Sequence, residues 1–205
     1  MKRKDQLDLF SNVPIDYRKP INPARTAMHR KTPSPIARAL LETHFFENHR
    51  VQRVLDYGCG IGRDVEFYRQ LGLDAAGYDP HEAFKWTEQP KGGYDLVTNL
   101  FVFNVISNHD ERRKLAATLT NLTQLGGQII VSARSSEAIE AEARKKDWTP
   151  FGDGYLSSPA RGTFQKGMSE CELFSYFNSK ALQTIALDFA VSKDVACIAM
   201  NKRAD

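Results

Sequence analysis

The sequence predicts an α/β fold with a mostly parallel sheet, covered by helices on both faces and ending in a C-terminal antiparallel hairpin. Three observations carry this reading. Short apolar runs at 51–57, 73–78, 95–98 and 128–133 alternate with helical patterns, and such alternation implies parallel pairing through crossovers. Gly58, Gly60 and Gly62 stand between the first run and a helical one. Near the end, Gln183–Phe189 and Ala196–Asn201 flank the short link Val191–Val195, the pattern of a hairpin at a sheet edge.

In chain order, residues 1–33 hold Pro14, Pro20, Pro23 and Pro33 among polar and basic residues without helical or strand periodicity, so they read as an irregular arm. Ser34-Pro35 starts a helix, serine as the cap and proline at the first helical position, with Ile36, Ala37, Leu40, Leu41 and Phe45 as its apolar stripe. That helix is expected to run to about residue 49. The strand 51–57 then leads through the glycine turn into a helix over 63–71, and a second strand closes on Asp79-Pro80. The third strand runs into 99–106, a helix follows over 109–124, Gly126-Gly127 turn, and the fourth strand precedes a helix over 135–146 capped by Ser135. A Gly/Ser/Pro-rich loop is expected at 151–162, and a helix near 169–177.

Composition sets the bounds. With 205 residues, 41% apolar and 26% charged, the chain suits one domain, here 34–205, behind the arm. No apolar stretch is long enough for a membrane span, and the charged start MKRKDQLDLF lacks the core of a secretory signal. A cytoplasmic location is expected. Cys59, Cys171 and Cys197 are widely spaced and odd in number, so neither a disulfide framework nor a metal site is expected. The net charge of +3 is unevenly spread: residues 1–50 carry 10 Lys+Arg against 5 Asp+Glu, the rest 18 against 20. A basic arm of +5 ahead of a core of −2 is compatible with phosphate contact and equally with a solvated extension.

Glycines between a strand and a helix let backbone N–H groups approach a ligand. Asp79, 17 residues beyond Gly62, stands where a carboxylate accepts ribose hydroxyls. The spacing is G-x-G-x-G, with Asp56 two residues ahead, unlike the G-x-G-x-x-G of a dinucleotide site. A carboxylate there repels a pyrophosphate and suits a cationic amino-acid moiety, which favours S-adenosylmethionine over a nicotinamide dinucleotide.

Val54–Gly62, Gly77-Tyr-Asp79, Tyr94–Val97 running into Phe101–Ile106, and Leu125–Val131 resemble the successive motifs of class I S-adenosylmethionine-dependent methyltransferases. The resemblance implies a Rossmann-like fold in which Asp56 and the backbone of Gly58, Gly60 and Gly62 hold the methionine part, Asp79 the ribose, and Asn99, Leu100 and Phe101 line the far side of the cofactor. Arg25-Thr-Ala27, Arg30, Ser34, Arg38, Asn104–Ile106, Glu111-Arg112, Ser132–Arg134, Asp153-Gly154 and Gly162–Lys166 further resemble methyltransferases associated with DNA phosphorothioation gene clusters. That likeness implies a DNA-modification setting and no particular acceptor.

The chain departs from the class I pattern in one respect. Only 15 residues separate Asp79 from Asp95, too few for the usual helix, strand and helix. The expectation is a sheet whose third strand is reduced or absent, with the adenine held by apolar contact from Pro80, Leu100 and Phe101.

Methyl transfer is an in-line displacement, so the protein chiefly aligns its acceptor. The chain lacks an Asp/Asn-Pro-Pro-Tyr/Phe motif and a Pro-Cys nucleophile, which argues against exocyclic base amines and pyrimidine C5 as acceptors. Ligands lie at the carboxyl ends of parallel strands, which makes Asn104 and Arg134 the acceptor-side candidates. Asn104 equally reads as a loop hydrogen bond or helix cap, and Arg134 as a surface ion pair. Phe164 is either a substrate contact or a core anchor; Trp86 and Trp148 read as packing; His29 and Arg30 as a base or clamp, or as solvated residues of the arm. The leading function is methyl transfer with an acceptor in or linked to nucleic acid. The alternatives are a non-catalytic cofactor-binding subunit and a small-molecule methyltransferase.

Overall fold

The computed structural model describes residues 21–27, 30–177 and 179–203. Most of the expected arm, including His29, therefore lies outside the described residues. Six strands form one sheet in the order β2-β1-β3-β4-β9-β8. They are β1 Arg53–Tyr57, β2 Asp74–Tyr78, β3 Tyr94–Leu100, β4 Thr123–Arg134, β8 Leu182–Ile185 and β9 Val195–Lys202. β1 to β4 pair in parallel, while β9 runs antiparallel to both β4 and β8. The Rossmann-like α/β fold with its closing hairpin is as the sequence predicts.

Strand alternation explains the two layers. On one face Leu55, Val97, Ile129, Val131 and Met200 pack with Leu115 and Leu119 of α4 (His109–Leu122) and Leu173 of α6 (Glu170–Ser175), with α5 (Ser136–Lys146) between these helices in the chain. Their neighbours Val54, Leu96, Ile130, Cys197 and Ala199 face the other way, onto α1 (Pro35–Glu42), α2 (Phe45–Asn48) and α3 (Arg63–Gln70). Each strand thus feeds two cores, as a period of two requires when both faces are covered.

The helix expected over 34–49 begins as foreseen, with Ser34 Oγ accepting from Ala37 N at 3.0 Å. It breaks at His44, whose φ of 54° is left-handed. The break turns the chain so that Phe45 and Phe46 are both buried, their rings edge to face at 6.5 Å.

No strand separates β2 from β3; the link holds only a 3₁₀ turn, Glu82–Phe84. Trp86 fills the space beside β2. A Cβ on Gly62 would lie 2.4 Å from Trp86 Cζ2, and one on Gly77 2.8 Å from its Cε3. Arg69 covers the indole at 5.3 Å, so Trp86 is a packing residue.

The expected loop at 151–162 is instead part of a small antiparallel sheet: β5 Thr149–Phe151, β6 Gly154–Ser158 and β7 Thr163–Gln165. Its glycines and serines misled because a Cβ on Gly154 would sit 2.6 Å from Phe164 Cζ. Glycine there makes room for a ring rather than for a turn. Phe164 is fully buried and anchors this sheet.

Candidate active site

A cavity of about 660 Å³ opens at the carboxyl ends of β1, β3 and β4, within the about 300–1,000 Å³ usual for small-molecule sites. Its floor is the glycine turn. Gly58, Gly60 and Gly62 all have positive φ, at 83°, 55° and 80°, a region open to glycine at little cost. Gly58 N and Cys59 N donate to Tyr78 O at 2.6 and 3.2 Å, fastening the turn to the end of β2. Gly60 lines the cavity, and a Cβ there would meet nothing within 4 Å. Its bare face is open space for a ligand.

Asp79 stands beside it. One carboxylate oxygen accepts from Gly60 N and the other from His81 N, each at 3.0 Å. Burial pushes the Asp79 carboxyl above its ordinary value, opposed by those two N–H groups. Each oxygen keeps a second lone pair, so the carboxylate can still accept from ligand hydroxyls.

Leu100, Phe101, Asn104 and Arg134 line the cavity with Gly58, Gly60 and Asp79. Asp56, Gly62 and Asn99 stand behind its wall. Asp56 is 4% exposed and accepts from Thr98 Oγ1 at 2.9 Å. Burial, then the nearby Asp64 carboxylate, pushes its carboxyl up to about 7. Asn99 Nδ2 donates to Tyr57 O at 2.7 Å, bracing β3 against β1. Gly62 ends the turn under Trp86.

Phe101 adopts a φ of 62°, costly for an aromatic residue. It leaves β3 with its N–H donating to Ser132 O at 2.9 Å, and the reversal turns the chain into the Phe103–Val105 3₁₀ turn. There Asn104 Nδ2 donates to Gln165 Oε1 at 2.9 Å, and Lys166 N to Asn104 O at 2.8 Å. The first bond confirms a loop hydrogen bond for Asn104, made from a residue that also lines the cavity. Arg134 likewise forms the ion pair its alternative reading foresaw, with Glu142, whose carboxyl Lys146 and Arg134 together hold below its ordinary value.

Several cavity residues were not singled out from sequence. Gln165 reaches the cavity from β7, Glu111 from the first turn of α4, and Tyr57 and Ile61 flank the glycine turn. Gln165 was foreshadowed only as part of the Gly162–Lys166 motif. A segment of the arm also arrives: Asn22 N donates to Gly162 O at 2.8 Å, Arg25 Nη1 to Arg161 O at 2.8 Å, and Arg161 Nη2 back to Arg25 O at 3.2 Å. Pro23, Ala24, Ala27 and Arg30 thereby line the cavity as a strap. Arg30 is tied further by Asp64 at 3.4 Å.

Outside the cavity lining, next to Glu111 in sequence, Arg112 is fully buried on α4. Its Nη2 donates to both oxygens of Asp153 at 2.8 and 2.7 Å, and its Nη1 to Tyr176 Oη at 2.7 Å. Lys166 adds contacts to Glu172 at 3.0 Å and to Asp153 at 3.6 Å. This clamp joins α4, the β5–β7 sheet and α6.

The family profile described as "Methyltransferase domain" matches residues 27–189, and the chain belongs to that family. No curated protein matches it by sequence. Among solved structures, a Pyrococcus horikoshii OT3 protein is similar at 14% identity and a TM-score of 0.62, over 83% of this chain and 92% of that one. A SAM-dependent methyltransferase from Methanosarcina mazei is similar at 14% identity and 0.61, over 85% and 100%. The glycopeptide N-methyltransferase MtfA, complexed with S-adenosylmethionine, is similar at 15% identity and 0.55, over 86% and 90%. At such identities the structural likeness speaks for the fold. The protein is an S-adenosylmethionine-dependent methyltransferase. Among the described residues, no helix is long and apolar enough to cross a membrane, and no group of metal-binding side chains gathers.

Proposed function

We propose that the enzyme methylates a small molecule, or a protruding end of a larger one, that enters the cavity beneath the strap. One observation carries this reading: a single cavity runs from Gly60 and Asp79 to Asn104, Gln165 and Glu111, covered by residues 22–27 and 30. S-adenosylmethionine supplies an electrophilic methyl group on a sulfonium sulfur. In this reading the backbone at Gly58 and Gly60 receives its methionine end and Asp79 accepts the ribose hydroxyls. Pro80, Leu100 and Phe101 give apolar contact to the adenine. Asp56, Gly62 and Asn99 act from behind, shaping the turn and the end of β3 rather than touching the cofactor. Asn104 and Gln165 orient the acceptor, and the strap excludes water.

A second reading, transfer into nucleic acid in a DNA-modification setting, draws on the narrower sequence resemblance and on Arg25, Arg30, Arg63 and Arg161 at the strap. Free cysteines at 59, 171 and 197 favour a reducing, cytoplasmic location.

The test pairs two measurements. Calorimetric titration with S-adenosylhomocysteine examines the cofactor seat. Radiolabelled methyl transfer into size-fractionated cell extract, with and without nuclease, examines the acceptor. Nuclease-resistant label in the small fractions is the expected result, and nuclease-sensitive label would establish the second reading instead.

A further inference from the structure

We propose that Arg112 is a positioning residue for methyl transfer, setting from outside the cavity the wall that orients the acceptor; the inference rests on the small-acceptor reading above. The Arg112 guanidinium is fully buried, and its Nε has no hydrogen-bond partner. A buried charge with an unmet donor is costly, and apolar replacements of buried ion pairs are often neutral or stabilising. Stability alone therefore does not account for an arginine here, and its contacts supply another reason. Nη2 donates to Ser107 O at 3.2 Å and to both carboxylate oxygens of Asp153. Ser107 directly follows Asn104, Val105 and Ile106, all of which line the cavity.

Asp153, between β5 and β6, reaches the other half of this wall through Lys166. Its main-chain carbonyl accepts from Lys166 Nζ at 3.3 Å, and its carboxylate lies 3.6 Å from the same ammonium. Lys166 follows Gln165, which lines the cavity, and its own N–H donates to Asn104 O at 2.8 Å. The bond from Asn104 Nδ2 to Gln165 Oε1 adds a second tie between the halves. A ring thus runs from Arg112 through Asp153 and Lys166 to Asn104, and back along residues 104–107 to Arg112. One guanidinium holds both halves of the wall at once. Its remaining contact leads elsewhere: Nη1 donates to Tyr176 Oη, just beyond α6, and no residue of α6 lines the cavity. The cofactor end is fastened separately, Gly58 N to Tyr78 O and Gly60 N to Asp79. Reacting groups displaced by about 1 Å lose about a hundredfold in rate, so loosening the ring should slow transfer without releasing the cofactor.

The test compares wild type with R112K, D153N and Y176F. Each receives radiolabelled S-adenosylmethionine and increasing amounts of the extract fraction that wild type labels, which yields kcat and an apparent KM. R112K replaces a planar fork by a single ammonium, D153N removes the charge that ties Arg112 to Lys166, and Y176F removes only the contact beyond α6. We expect kcat to fall about tenfold to a hundredfold in R112K and about threefold to tenfold in D153N. KM should stay within about threefold and S-adenosylhomocysteine affinity within about twofold in both, because the cofactor end is fastened apart. Y176F should lower Tm while keeping kcat within about twofold of wild type. Should R112K fail to fold, the contrast between D153N and Y176F decides. Wild-type kcat in folded R112K or D153N, an equal fall in Y176F, or a loss confined to KM overturns the inference and leaves the small-acceptor reading intact. Wild-type label that nuclease removes overturns that reading and the inference with it.

Discussion

At the cofactor end of the cavity the main chain builds the site: three left-handed glycines within five residues turn the backbone, and one carboxylate, Asp79, pins it. At the acceptor end side chains build it, and they come from distant parts of the sequence. Asn104 meets Gln165 across 61 residues, Arg112 meets Asp153 across 41 and Tyr176 across 64. A backbone site leaves a local pattern of spacing that a reader can recognise, whereas a side-chain site assembled over long range leaves single polar residues that look like any others. The two ends also carry different loads. In the proposed reading the first receives a cofactor common to a family, the second whichever acceptor this enzyme serves.

Substitutions that disable one end and spare the other test this division. The largest effect should come from Arg112→Ala. It removes a fully buried guanidinium and its links to Asp153 and Tyr176, and should cost about 3 kcal/mol in chemical denaturation. Because Asp153 is partly exposed and can rehydrate, the loss should stay below that of a wholly buried pair. Methyl transfer should fall while S-adenosylhomocysteine still binds the folded protein. Asp79→Ala should do the reverse, weakening S-adenosylhomocysteine about a hundredfold by calorimetry, with only a small drop in Tm.

Gly58→Ala probes the point where the two ends touch. Its Cβ would lie 2.4 Å from Val102 Cγ2 at a φ of 83°, so about 1–3 kcal/mol should be lost, and both binding and transfer should weaken together. If only binding falls, the ends are more independent than their contact suggests.

Asp56 gives a pH dependence confined to the cofactor end. Its folded carboxyl is raised from 3.8 to about 7. The stability it contributes is therefore fully present below about 4 and is lost as pH rises through 7, because the unfolded chain ionises first. Denaturation midpoints should decline between those values, and Asp56→Asn should flatten the decline. The smallest effect is expected for Arg144→Ala. Its exposed pair with Glu140 at 3.8 Å should contribute no more than about 0.5 kcal/mol, and neither end should respond.

The same division explains what the sequence disclosed. The glycine turn, Asp79, the parallel strands and the closing hairpin were legible because each rests on local chemistry: φ freedom, alternation or a short link. The missing strand was legible by simple shortage of residues between Asp79 and Asp95. The break at His44 was not, since it serves the packing of Phe45 and Phe46 rather than any local propensity. The β5–β7 sheet was hidden because Gly154 reads as a turn residue, although it makes room for Phe164. Asp56, Gly62 and Asn99 were expected to meet the cofactor from motif position alone, and the geometry sets them one layer back, as braces of the turn and of β3. Gln165 and Arg112 carried only the weak signal of their motifs, since their partners lie far along the chain.

The short link after β2 also bears on how quickly the protein forms. With no third strand to build, β1, β2 and β3 lie within residues 53–100, and Thr98 reaches Asp56 across only 42 residues. The antiparallel half must close a longer span, with Gln128 and Asn201 73 residues apart. Loop-closure entropy and contact order both favour early pairing of the nearer strands. Conservative substitutions such as Leu55→Ala and Val97→Ala should then slow refolding more than Ile198→Val does, so the cofactor seat is ready while the acceptor end is still being assembled.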